Sequence, residues 1–395
     1  MPRWTYFAIF LVIALGIVAG WHYYLWLRLV RDPGWTPQVT RILTGVLVLL
    51  GLSLPLGMIT ARLLPPAFGK AFGWFAFVWM GGGFLLLCAV AVGDLFTQVL
   101  SRFTDLGASM PDAEPESPSR RLLLARTLAA GTTLAAASTT IYGVRGALGA
   151  VQVKDVEVQL DRLPREISGL TVVQLTDVHV GSMIGQPFVE GLVERVNALK
   201  PDLVVITGDL VDGPAERLGA AVAPLGKLES RWGTHFVTGN HEYFSGFEPW
   251  RAFLASLGIE VLENRRVTIG EAGGPSIDLA GIPDPTVARM GNGAPDLAAA
   301  VAGRDPEREL LVLAHQPRAI DDAVTQGAGL LLSGHTHGGQ IWPFGLLVAL
   351  NQPYVAGLHR REDTQVYVSR GTGFWGPPMR VGAPAEITRL VLTPS

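Results

Sequence analysis

The stretch Leu330-Leu331-Leu332-Ser333-Gly334-His335-Thr336-His337-Gly338-Gly339 sets the pattern by which the rest of the chain is read. A short apolar run that ends at glycine marks a buried strand handing over to a loop. Two histidines, spaced two apart, stand where the chain leaves that strand. The same arrangement recurs upstream. Strands predicted over Leu170–Thr176, Leu203–Thr207, Thr234–Thr238 and Glu309–Ala314 lead into Asp177-Val178-His179, Gly208-Asp209, Gly239-Asn240-His241-Glu242 and His315-Gln316-Pro317. Further strands are predicted over Val153–Leu160, Ile277–Gly281, Gln365–Ser369 and Glu386–Leu392. Helical periodicity lies between them over Gln186–Leu199, Ala215–Leu228, Glu248–Leu257, Pro295–Ala302 and Pro317–Thr325. Strand–helix alternation of this kind predicts a layered α/β domain with its site at the C-terminal ends of strands.

The loop residues have a common chemistry. The chain has 8 histidines, and five of them (His179, His241, His315, His335 and His337) fall in these loops, leaving His22, His235 and His359 outside. A lone loop histidine is usually a hydrogen-bonded structural residue, but five beside Gly-Asp and Gly-Asn make a constellation. Residues two apart on an extended segment project to one side, so Asp177 and His179 are expected to grip one ion. His335 and His337 are expected to reach toward different ions of a close pair. Glycines at 208, 239 and 334 let the backbone turn and approach a ligand closely. Carboxylate, carboxamide and imidazole donors together suit Mn, Fe or Zn better than Ca, which prefers oxygen shells.

These motifs resemble the calcineurin-like metallophosphoesterase family, over about Val151 to Leu392. The closing segment, Gly338-Gly339-Gln340-Ile341 through Tyr367-Val368-Ser369-Arg370-Gly371, is similar to a membrane-attached bacterial subgroup. The resemblance implies an αββα sandwich with two divalent metal ions at the strand ends. It implies that Asp177, His179 and His337 hold the first metal, that Asp209 bridges both, and that Asn240, His315 and His335 complete the second. It further implies that His241 acts near the leaving group without binding metal, oriented by Glu242, where many relatives carry Asp. The implied reaction is attack on phosphorus by a metal-activated water. Arg370 reads either as an extra phosphate contact or as a structural surface arginine.

Outward from this domain the composition changes. Residues 1–110 hold seven Lys/Arg and three Asp/Glu, net +4, whereas residues 111–395 hold 24 and 31, net −7, giving the overall −3. So few charges among long apolar runs exclude a soluble N-terminal domain. Trp4–Leu27, Ile42–Ala61 and Ala71–Val92 are each about 20 residues, the length that spans ~30 Å of hydrocarbon as a helix. Pro55 and Gly57 are tolerated in such helices, and Gly81-Gly82-Gly83 favours close packing. Residues 105–119, rich in Pro, Ser and acid, read as a linker. Arg120-Arg121 before a softly apolar stretch to Tyr142 reads either as a twin-arginine export signal or as the basic end of a fourth helix. The expected organisation is therefore a membrane domain over 1–104, a linker and fourth helix over 105–150, and a phosphoesterase domain over 151–395. Placing the first and third loops inside puts six Lys/Arg in the cytoplasm against three outside (Arg3, Arg62 and Lys70), the sign of the positive-inside rule. With a fourth span, the catalytic domain lies outside the cytoplasm of a bacterial inner membrane.

The single cysteine, Cys88, excludes an intrachain disulfide and a thiolate metal cluster. The acidic balance and lack of a basic stripe argue against a nucleic-acid polymer as substrate. Three functions stay open: a phosphoesterase, a metal-binding sensor or scaffold signalling through its membrane helices, and a nucleotide phosphodiesterase. A lipid-borne or other amphiphilic ester is the expected substrate, from the apolar loop Ile341–Leu350 and the cluster Phe374–Met379. The alternative is that Trp342 and Trp375 simply pack beneath those loops or against the membrane helices.

Overall fold

The computed structural model describes residues 3–63, 66–107, 118–291 and 293–395. The chain divides into two compact units, one built from residues 1–144 with 376–379, the other from 145–375 with 380–395.

The first unit is helical. Helix α1 (Arg3–Trp26) runs on into a π-helical turn, Leu27–Arg31, and is followed by α2 (Pro37–Leu63) and α3 (Pro66–Gly107). Helix α4 (Pro118–Leu148) begins in this unit and ends in the other. Among the described residues, three helices are long and apolar enough to cross a membrane, over Leu11–Arg31, Pro37–Gly57 and Phe68–Leu100. The predicted fourth segment is helical, as α4, but is not among those three. Most of the predicted linker, 108–117, lies outside the described residues. The glycine run packs helices closely: a Cβ at Gly82 would meet Thr140 Oγ1 at 3.0 Å, and one at Gly83 would meet Trp21 at 2.6 Å. His22 is buried on α1, with Nδ1 2.8 Å from the Val18 carbonyl and Nε2 accepting from Trp79 Nε1 at 3.1 Å. Both ring nitrogens are thus satisfied, the usual condition for a polar group at membrane depth.

The second unit contains two six-stranded sheets. In chain order the strands are β1 (Gln152–Leu160), β2 (Leu170–Leu175), β3 (Leu203–Thr207), β4 (Thr234–Val237), β5 (Ile259–Val261) and β6 (Arg265–Gly270). They continue with β7 (Ser276–Gly281), β8 (Leu310–Leu313), β9 (Leu330–Ser333), β10 (Gly357–Arg361), β11 (Thr364–Val368) and β12 (Glu386–Pro394). One sheet has the order β1-β12-β2-β3-β4-β5 and the other β10-β11-β9-β8-β7-β6. Helices α5 (Gln186–Ala198), α6 (Ala215–Val222), α7 (Asn240–Ser245) and α8 (Phe247–Ser256) belong to the first half of this unit.

Alternation along each strand builds the layers. Leu311 and Leu313 of β8 join Val172 and Leu203 in a core between the sheets, while Leu310 and Val312 face the short helices Leu297–Ala300 and Ile320–Thr325. Val173 and Leu175 of β2 pack instead with Val189, Leu192 and Val196 of α5 and Trp250 of α8. The architecture is therefore an αββα sandwich. Strands β2, β3 and β4 of one sheet run parallel, as do β7, β8 and β9 of the other. Parallel strands place successive C-terminal ends at one edge, so loops from both sheets can converge there.

Differences from the predicted elements have local causes. The helix predicted over Ala215–Leu228 stops at Val222 and continues as a 3₁₀ turn, Ala223–Lys227, because Pro224 cannot extend an α-helical ladder. Strands β5, β6 and β10 were not anticipated, and each is an edge strand. Edges carry charge to discourage pairing with other chains, as in Arg265-Arg266 and Arg360-Arg361, so no apolar run announces them.

Candidate metal centre

The loops leaving β2, β3, β4, β8 and β9 bring the candidate ligands together. Asp177, His179 and His337 offer ligand atoms lying within 4.8 Å of one another, and so do Asp209, His315 and His335. In the first set, His179 Nε2 is 3.1 Å from His337 Nε2, which is 3.4 Å from Asp177 Oδ1. In the second, His315 Nε2 is 3.1 Å from both Asp209 Oδ2 and His335 Nδ1. Asp209 links the two sets, its Oδ2 lying 3.8 Å from His179 Nε2.

These side chains do not converge by strand alternation, as the two-residue spacing suggested. Asp177, His179, Asp209, His335 and His337 all have positive φ, between 49° and 71°. Such backbone is sparsely populated by non-glycine residues and persists where surrounding structure over-determines it. The bonds that hold it are visible: Asp177 N donates to the Gly208 carbonyl at 3.0 Å, and His179 N to the Asp209 carbonyl at 3.1 Å. Glycine at 208 has φ +86° and passes so close to Gly239 that a Cβ would lie 2.4 Å from its nitrogen. At Gly334 a Cβ would sit 2.3 Å from Asp177 Oδ2, in the space where the His335 amide reaches that carboxylate at 3.0 Å.

The hydrogen bonds also assign the free lone pairs. His315 Nδ1 is 2.8 Å from the Thr207 carbonyl and His179 Nδ1 is 2.9 Å from Asp212 Oδ1, so each carries its proton there. With Nδ1 committed in this way, each Nε2 faces the Asp209 carboxylate and a neighbouring imidazole nitrogen, the position a cation would take. Asn240 Oδ1 is buried with no hydrogen-bond partner among the described residues. Two buried carboxylates and four imidazoles grouped in this way fit divalent metals, and the donor set fits a transition ion.

His241 is held differently. Its Nδ1 is 2.7 Å from Asp212 Oδ1, the same oxygen that His179 engages, and its Nε2 looks toward Asp209 Oδ2 at 4.0 Å. Burial works against charge on His241, but Asp212, Asp209 and Glu242 outweigh it and raise it to about 9. Burial would raise Asp212, yet its two histidine partners hold it well below the usual carboxylate range. Asp212 escaped the sequence reading, although it stands three residues after Asp209.

Glu242 occupies another place than the one expected. Its carboxylate accepts from the amides of Asp209 (2.9 Å), Leu210 (2.8 Å), Val211 (3.3 Å) and Gly239 (2.6 Å), caps α7 and has no hydrogen bond to His241. Burial, with the Asp209 carboxylate beside it, pushes Glu242 up to about 7. The group bonded to the His241 ring is Asp212. Arg370 is paired with Glu386, Nη1 to Oε2 at 3.1 Å, which accounts for its charge without a phosphate.

Arg380 was also missed. Its fully buried guanidinium donates to the carbonyls of His337 (3.1 Å), Ala383 (3.2 Å) and Gly371 (3.3 Å), pinning the turn that carries His337. Burial lowers Arg380 to about 10. Nothing local in sequence marks it, since it lies 43 residues beyond His337.

Residues 170–339 match the calcineurin-like phosphoesterase family. The chain is 43% identical over 281 residues to a bovine transmembrane protein with metallophosphoesterase domain, covering 68% of this chain and 63% of that protein. It thus spans less than two thirds of that relative. It is 41% identical over 278 residues to a metallophosphoesterase of Helicobacter pylori, covering 70% of this chain and 73% of that one. To the metallophosphoesterase YkuE of Bacillus subtilis it is 30% identical over 237 residues, covering 58% and 81%. Fold, site and relatives define a metallophosphoesterase. The chain belongs to the calcineurin-like metallophosphoesterase family, and it carries candidate membrane helices ahead of that domain.

Proposed function

We propose that the chain is a membrane-anchored phosphoesterase that hydrolyses phosphate mono- or diesters at a pair of divalent cations. The two ligand clusters, Asp177 with His179 and His337 and Asp209 with His315 and His335, lying side by side through Asp209, carry the reading. Asp177, His179 and His337 would hold one cation, Asn240, His315 and His335 the other, and Asp209 would serve both. When bound, Mn, Fe or Zn supplies charge for the phosphoryl oxygens and lowers the pKa of a water. The chain's own residues orient the reaction. His241, tethered through Nδ1 to Asp212, presents Nε2 to the leaving-group oxygen and protonates it as the ester P–O bond breaks. Asp212 positions His179 and His241 together, so the metal centre and the proton donor keep one register.

Metal analysis of the purified full chain, followed by assays on p-nitrophenyl phosphate and its bis ester, tests this. About two metals per chain and turnover lost on chelation are expected. A metal-loaded protein inert toward both esters would sink the enzyme reading and favour a metal-binding sensor.

An amphiphilic or lipid-borne ester is the substrate class the rim favours. Trp342 (66%), Leu346 (68%) and Leu350 (84%) are largely exposed on the segment that follows His337, instead of packing beneath it. Trp375 and Phe244, also exposed, lie with ring centroids 5.6 and 5.7 Å from that of His241. Exposed apolar side chains bordering a polar centre suit a ligand with an apolar body and a phosphorylated head. The loop charge count supports a catalytic unit on the extracytoplasmic side of a bacterial inner membrane, with α4 as a fourth crossing.

A further inference from the structure

The helical unit contains a cavity of about 710 Å³ with no part in the phosphoesterase chemistry. Its polar wall is Arg28, Arg31, Asp32, Asp94, Thr97 and Arg121, drawn from the end of α1, from α3 and from the start of α4. Its other wall is apolar and includes Val90, Leu122 and Leu128.

The polar wall is partly organised. Arg28 donates from Nε to Asp94 at 2.8 Å and from Nη1 to Asp32 at 2.9 Å, and Tyr24 donates its hydroxyl to Asp94 at 2.5 Å. Arg31 pairs with Asp32 at 2.7 Å. Both carboxylates are therefore engaged. Arg121 has no hydrogen-bond or ion-pair partner among the described residues, so three guanidinium groups face two carboxylates and one positive charge is left over. The backbone at this point is unusual too: Leu27–Arg31 is π-helical, closed by Asp32 N to the Leu27 carbonyl at 3.0 Å. Single π-helical turns recur at functional sites.

We propose that this cavity binds an anionic phospholipid, its phosphate against Arg28, Arg31 and Arg121 and its acyl chains along the Val90–Leu122–Leu128 wall. Basic pockets between membrane helices take anionic head groups, because charge and apolar surface are offered together. The lipid is chosen over a free anion because half of the wall would give a bare phosphate nothing to bind. The site is separate from the metal centre and stands whether or not the phosphoesterase reading does.

The test uses the full chain in detergent micelles, titrated with dioleoylphosphatidylglycerol, dioleoylphosphatidylcholine and inorganic phosphate, with bound lipid counted by native mass spectrometry. Phosphatidylglycerol should bind tightest, and Arg121→Gln and Arg31→Gln should each weaken it about five-fold, one head-group charge contact apiece. Ala125→Phe, which fills the cavity from α4, should weaken both lipids. Variants are compared only at the parent's helical content by circular dichroism. Arg31→Gln decides the matter if Arg121→Gln fails to fold. Equal binding of the two lipids, or preference for phosphatidylglycerol untouched by either arginine variant, overturns the assignment. Inorganic phosphate displacing phosphatidylglycerol at equal concentration would make it a bare-anion site and overturn the lipid.

Discussion

Asp209 accepts from the His241 amide at 2.9 Å and lies 4.0 Å from its ring Nε2, yet the two should fail in different ways. A carboxylate shared by two cations neutralises both, and an amide of the same shape does not. Asp209→Asn should therefore abolish turnover and lower metal content by mass spectrometry. His241→Ala should keep its metals and lose about 10²–10⁴-fold in kcat, the usual worth of a positioned proton donor. Loss of metal from the His241 variant would contradict that separation. Asp212→Asn should cost about 10–100-fold, in metal affinity and activity together, because one oxygen orients both a ligand and the donor. Glu242→Ala should act on stability, since four amides lose their acceptor: about 2–4 kcal/mol, read as a lower unfolding midpoint. A Glu242 variant of unchanged midpoint and changed pH–rate profile would restore the orienting role. The seven ligand-type residues were legible because each ends an apolar run. Asp212 and Arg380 were not, because their partners are assigned by tertiary contacts that no local pattern encodes.

At the level of elements, legibility followed the apolar pattern: the edge strand β1 is predicted through its alternating Val156, Val158 and Leu160. The central strands β3 and β9 coincide with their predicted ranges, since a strand buried on both faces is an unbroken apolar run. Edge strands β5, β6 and β10 carry polar or charged residues and escaped. Helix α4 poses the sharper problem. It is too weakly apolar to rank with the three candidate spans, yet it runs for 18 residues, Thr127 to Val144, without a charge. At 1.5 Å per residue that is close to the ~30 Å hydrocarbon thickness. If α4 crosses, alkaline phosphatase fused after Ser395 should be active and a fluorescent-protein fusion dark. The reverse pair of results would place the catalytic unit in the cytoplasm. Replacing Arg120 and Arg121 by Lys keeps their charge and removes only the export signature. Unchanged localisation would retire the twin-arginine reading and leave the fourth span intact.

For the whole molecule, the question is why a chain bearing bilayer-length helices leaves so much apolar surface beside its metal centre. An enzyme of small soluble esters gains nothing from Trp342 and Leu346 in water, and such patches on soluble domains usually mark an interaction site. The short helix Gly345–Val348, which carries Leu346 and follows Trp342, is tied closely to the site. A Cβ on Gly339 would lie 2.4 Å from Gly345 Cα, so this apolar helix starts against the turn that carries His337. An acyl or polyprenyl chain laid over that surface would contribute ~0.8 kcal/mol per buried methylene, so a few methylenes suffice for a tenfold gain in affinity. Trp342→Ser with Leu346→Ser should therefore raise KM for a micellar phospholipid about ten-fold or more. The same pair should leave kcat and KM for p-nitrophenyl phosphate within about two-fold, because neither side chain is needed to hold the fold at such exposure. Steady-state kinetics on both substrates separates the alternatives. An equal loss on both would mean that these residues support the site by packing, and the amphiphilic substrate would lose its physical basis.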